Sequence, residues 1–138
     1  VAFTSRASTP DSLAPSSDGT QAPAWVESWR ARREAEYARD AQVRALRRAE
    51  AVRAAAVLRG FPGVTSVVLF GSLARDEATP ASDVDVFVEG LAESDWLAAV
   101  SAVRSVISRA EVDLVRAETA SASLRARVLA EGVSLFGP

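Results

Sequence analysis

The chain has 138 residues, enough for one modest domain with a real core and with no room left in this stretch for a second, acceptor-gripping domain. It is 49% hydrophobic and carries a formal net charge of only −2, so no global field draws it toward nucleic acid and a folded protein is expected. Cysteine and histidine are both absent, which excludes disulfides, thiolate metal sites and the usual general base, and leaves acid–base chemistry to carboxylates or a bound metal.

All 16 basic residues are arginine, and lysine, asparagine and methionine do not occur, a bias expected from a GC-rich coding sequence. Val1 then reads either as a literal GTG start or as the edge of a processed or truncated chain. No apolar run is long enough to span a membrane, and the first residues lack the basic and apolar blocks of a signal peptide, so the cytoplasm is the expected compartment.

Residues 1 to 23 are rich in Ser, Thr, Pro, Ala and Asp without apolar periodicity and are predicted to be a flexible tail. Residues 24 to 59 contain no Gly or Pro and are dominated by Ala, Arg, Glu and Leu, which predicts a long helix ending at Gly60, with Pro62 beyond. Its first half carries Trp25, Val26, Trp29 and Tyr37, and between Arg30 and Arg53 eight arginines stand against four acids. Three readings stand open: a solvated helix whose aromatics pack on the domain, a docking arm for a partner, and a contact for RNA. Homo-oligomerisation through the Trp25–Arg59 helix is a further possibility.

The remainder, residues 60 to 138, is predicted to be the α/β domain. Residues 66 to 70 form an apolar, β-branched run that stops at Gly71-Ser72 and feeds a short helix through Leu73, Ala74 and Arg75. Such a turn exposes backbone N–H groups which, with the helix dipole and the Ser72 hydroxyl, suit a phosphate chain, and glycine lets the backbone approach it. Ten residues later comes Asp83-Val84-Asp85-Val86-Phe87-Val88, whose alternation places both carboxylates on one face of a strand. A turn over Leu91 to Ser94 leads to Asp95, read as the cap of a helix whose buried face carries Trp96, Leu97, Val100, Val103, Val106 and Ile107. The strand Glu111 to Val115 brings Asp113 beside the pair. A last helix, Ser121 to Ala130, is expected to turn Leu124, Val128 and Leu129 inward, and a short strand closes the chain.

Neighbouring carboxylates repel one another, and a divalent cation resolves the conflict; hard oxygen ligands favour Mg²⁺ or Mn²⁺. Asp83, Asp85 and Asp113 around two ions about 3.5–4 Å apart suit in-line displacement at phosphorus.

Gly71-Ser72, the ten-residue interval and Asp83-Val84-Asp85 resemble the signature of the polymerase-beta-type nucleotidyltransferase superfamily. The wording Leu-Phe-Gly-Ser-Leu-Ala-Arg and Ser-Asp-Val-Asp-Val-Phe-Val-Glu is similar to its minimal nucleotidyltransferase (MNT) branch, over about Val64 to Phe136 and including the closing Glu131 to Phe136 segment. The resemblance implies a small mixed sheet with helices on one side, preceded here by the long helix. It implies that Gly71 and Ser72, with Ser82, bind the triphosphate of ATP, that Asp83 and Asp85 hold both metals, and that Asp113 ligates one and helps deprotonate the acceptor hydroxyl. Arg75 is placed either at the phosphates or on the surface. The family often has glycine after that arginine, where this chain has Asp76, a negative charge expected to weaken nucleotide binding.

In that branch, stand-alone members are commonly antitoxins that transfer AMP onto a tyrosine of a HEPN-type ribonuclease. The implied function is therefore a protein adenylyltransferase antitoxin. The alternatives are an antitoxin that blocks its partner sterically through the long helix, and a subunit that modifies aminoglycosides or RNA ends.

Overall fold

A computed structural model describes residues 22–138. The expected flexible tail lies outside the described residues in all but its last two positions. The chain divides into two units, Val1–Tyr37 and Ala38–Pro138. Helix α1 spans Ala24–Arg59, as its composition predicts, and stops where Gly60 interrupts it. Among the described residues no helix is long and apolar enough to cross a membrane.

In the first unit Trp25, Trp29 and Tyr37 are exposed. The Arg33 guanidinium lies 5.3 Å from the Trp29 ring centroid and 5.6 Å from that of Tyr37. Steps of four residues put all three side chains on one stripe, and the arginine is held by two ring faces.

The second unit is built on a four-stranded sheet in the order β3-β2-β1-β4, with β1 Ser66–Phe70, β2 Val84–Glu89, β3 Val112–Arg116 and β4 Val133–Phe136. β1 is antiparallel to β2 and β4, and β2 is parallel to β3, giving the mixed sheet that the resemblance implied. Alternation along the strands sends Val67, Leu69, Val84, Val86, Val88 and Leu114 into one core. Ala51, Ala54, Ala55 and Leu58 of α1 meet them there, and the small alanines let that helix lie close to the sheet. Helix α3 (Trp96–Val106) completes this layer with Ala99 and Val103.

Three local expectations are corrected. Asp95 makes no side-chain cap; a 3₁₀ turn over Glu93–Asp95 runs directly into α3, so its backbone is already helical where a cap would need it extended. Leu97 is 79% exposed and Leu129 of helix α4 (Ala122–Glu131) is 88% exposed, because each lies off the narrow stripe that faces the sheet. The cap of α4 is Ser121, whose hydroxyl accepts from the Leu124 N–H at 3.2 Å.

A short helix α2 (Gly71–Ala74) follows β1 and is fastened to α1 by arginines. Arg48 donates to the Leu73 carbonyl at 3.0 Å and Arg44 to the Ala78 carbonyl at 2.9 Å. Between them Asp76 pairs with Arg44 Nε at 3.3 Å and Arg48 Nη2 at 3.4 Å. Asp76 also has φ +64°, the left-handed region that glycine enters freely and aspartate tolerates better than most residues. Both facts explain a residue that looked out of place: it takes a glycine's conformation while its charge is spent on α1. Asp76→Ala is expected to lose both ion pairs and strain the backbone, costing about 1–2 kcal/mol in urea unfolding, while Asp76→Gly costs about 1 kcal/mol or less. Equal losses would contradict the backbone part of this explanation.

Candidate active site

β1 ends on Phe70, which is paired with Asp85, and the chain then turns at Gly71 with φ +77°. A Cβ on Gly71 would overlap the Asp85 carboxylate. The glycine is therefore required twice, for its positive φ and for the space that Asp85 fills. The space beside its bare Cα is taken by the Asp85 carboxylate, which locks the turn to β2.

β2 and β3 run in register, so Asp85 stands beside Asp113. Residues opposite one another in paired strands share a face, which places Phe70, Asp85 and Asp113 on the side away from the main core. Asp83 lies one residue before β2, not within it, where the Val84 N–H donates to the Glu111 carbonyl at 2.8 Å and ties the start of β2 to the start of β3. Asp83 and Asp113 are exposed, while Asp85 is half-buried.

Burial pushes the Asp85 carboxyl above the ordinary aspartate range, and the charges of Asp113 and then Asp83 push it further; Arg127 opposes them and Glu131 adds to them. The other two predicted carboxylates thus act on Asp85 electrostatically. Among the described residues no three acidic side chains are gathered closely enough to enclose an ion as they stand. The donor set, hard carboxylate oxygens of like charge, fits a divalent cation.

The turn is also held by a residue that the sequence reading did not single out. Glu131, the last residue of α4, accepts the Gly71 N–H at 2.6 Å and Arg75 Nη1 at 2.9 Å through one carboxylate oxygen. Arg75 donates Nε to Glu77 at 2.9 Å, and Glu77 and Glu131 hold its guanidinium firmly charged. Arg75 is thereby oriented toward the turn. Ser72 is half-buried within α2. The Ser82 hydroxyl accepts from the Thr79 N–H at 2.9 Å and shapes the turn before Asp83. Glu131 had a signal in the sequence, the acid before Gly132 in the closing segment, but nothing in its spacing connects it to a glycine sixty residues earlier.

A polar pocket of about 360 Å³ opens beside Asp83, lined by Ser82, Ser108, Arg109 and Glu111. A second, of about 330 Å³, is lined by Trp96, Leu114 and Arg116 and holds none of the predicted site residues.

A mixed sheet that carries two aspartates in register beside a glycine turn defines a nucleotidyltransferase type of protein. Residues 53–138 match the family model described as "Polymerase beta, Nucleotidyltransferase", and the chain belongs to that family. No curated protein matches it. Among solved structures it is similar to a toxin–antitoxin crystallised with AMP-PNP, at 25% identity and a TM-score of 0.55, over 64% of this chain and 73% of that one. A mutant of the toxin–antitoxin MntA-HpeT is 27% identical with a TM-score of 0.50, over 59% and 67% of the two chains. The toxin–antitoxin MntA-HepT, 24% identical with a TM-score of 0.52 over 66% and 73%, shares the fold.

Asp85 tests the electrostatics directly. A carboxyl whose folded pKa is raised costs stability once ionised, and costs nothing at a pH low enough to protonate it in both states. Asp85→Asn should therefore raise the Tm of the metal-free protein at pH 7, with the gain fading as the pH falls through the raised folded pKa and gone below the ordinary aspartate value of about 4. A lower Tm at pH 7 would contradict the crowding described above.

Proposed function

We propose that this protein is a metal-dependent nucleotidyltransferase that moves AMP from ATP onto a hydroxyl of a partner toxin of the HEPN type, and so acts as its antitoxin. The observation that carries the reading is Asp85 packed on Gly71 with Asp113 in register beside it. It is supported by the family to which the chain belongs and by the similar toxin–antitoxin structure that holds AMP-PNP.

Asp83, Asp85 and Asp113 are the residues that would hold Mg²⁺ or Mn²⁺, which when bound supplies charge neutralisation at the phosphorus under attack. Gly71, Ser72 and Arg75 bind the triphosphate, with Ser82 keeping the approach to Asp83 in shape. The acceptor oxygen bonds to the α-phosphorus as the bridge to the β-phosphate breaks, pyrophosphate leaves, and a carboxylate oxygen of Asp113 takes the hydroxyl proton. The acceptor comes from another chain, through the polar pocket beside Asp83. Asp76 faces Arg44 and Arg48, which offset part of its charge near the nucleotide.

The exposed stripe of Trp25, Trp29 and Tyr37 favours a second reading, an antitoxin that acts by covering its partner. An Asp83→Asn, Asp85→Asn double variant that still neutralises the toxin fully would establish that reading in place of the first.

Intact-mass spectrometry of the protein with ATP, Mg²⁺ and the product of the neighbouring gene should show one or more AMP units added to that partner. Asp83→Asn should slow the addition about a hundredfold or more. If the complex forms and the partner gains no mass, the transferase mechanism is wrong.

A further inference from the structure

We infer that Glu131 is an internal stand-in for the donor's phosphates: its carboxylate occupies the Gly71 N–H and Arg75, and a nucleoside triphosphate binds by displacing it toward Arg127. This rests on the nucleotidyl-transfer reading and adds a gate to it.

One oxygen of Glu131 receives a main-chain N–H at 2.6 Å and a guanidinium at 2.9 Å. That pairing of donors is how proteins hold an anionic phosphate oxygen. Gly71 has a single N–H, so carboxylate and phosphate exclude one another there, and a triphosphate brought up while Glu131 remained would meet a like charge. The Glu131 side chain is only 18% exposed, so the contact is formed in a sheltered place and is not a loose surface pair.

Displacement needs no movement of the backbone. A Cβ on Gly132, next in the chain, would overlap the Val128 carbonyl and Val68, so the end of α4 is closely packed and the part left to move is the glutamate side chain. Arg127, one helical turn earlier and 58% exposed, already has Nη2 3.9 Å from the same oxygen. Positions four apart on a helix meet readily. Turning Glu131 to Arg127 frees Arg75 Nη1 and the Gly71 N–H for the phosphates, while Arg75 Nε stays on Glu77.

Glu131→Gln removes the charge and keeps the shape. Titration calorimetry with Mg²⁺ and AMP-PNP should give a Kd about tenfold lower for the variant than for the wild type, with a smaller gain for ADP and the smallest for AMP. A residue that merely supports the fold would not tighten binding when changed. In the wild-type protein, inorganic tripolyphosphate should shift the Gly71 amide resonance, which reports loss of the Glu131 hydrogen bond without any mutation. Unchanged or weaker AMP-PNP binding in Glu131→Gln, or an unmoved Gly71 amide, while the wild type binds AMP-PNP, overturns the gate and leaves the transferase reading standing. No binding of AMP-PNP by either protein overturns the transferase reading and the gate with it.

Discussion

The contact on which the rest of the site depends is the Asp85 carboxylate resting against the bare Cα of Gly71. It joins the end of β1 to the start of β2, and through the parallel register it brings Asp113 alongside. No other residue at position 71 satisfies both the positive φ and the space. The same contact crowds Asp85 among other acids and lifts its pKa. The fold thus stores electrostatic conflict at one spot, which a bound cation would relieve, a common pattern where function is set against stability.

Several arginines of this unit have assigned tasks. Arg44 and Arg48 anchor α2 and take up Asp76, and Arg47 makes a buried pair with Glu50 at 2.6 Å. Arg75 and Arg127 flank Glu131. An arginine-rich helix that reads as a basic patch in the sequence is therefore, over residues 44 to 48, a set of clamps. Its aromatic residues Trp25, Trp29 and Tyr37 remain exposed with Arg33 stacked between Trp29 and Tyr37.

Elements with strong local patterns were legible in the sequence. The absence of Gly and Pro marked α1 to within its observed ends, and the valine–aspartate alternation of residues 84 to 88 marked a strand with one buried face. Position 71 was legible as a glycine turn, though not the carboxylate that fills it, because the pairing of Phe70 with Asp85 is a tertiary fact. Asp76 looked like a defect for the same reason: its partners lie some thirty residues earlier on another helix. Leu97 and Leu129 were misplaced because short amphipathic helices leave their buried stripe ambiguous by one residue. Glu131 had no periodicity to draw attention to it.

We propose that these features together form one anion and cation site, in which the acids would take a metal and Glu131 holds donors that a phosphate would take. Electron paramagnetic resonance of Mn²⁺ titrated into the protein with AMP-PNP tests that claim most directly. The account predicts Mn²⁺ bound together with the nucleotide, in a signal unlike that of Mn²⁺ with AMP-PNP alone and lost in Asp85→Asn. A spectrum identical to that of Mn²⁺ and AMP-PNP without protein would contradict it.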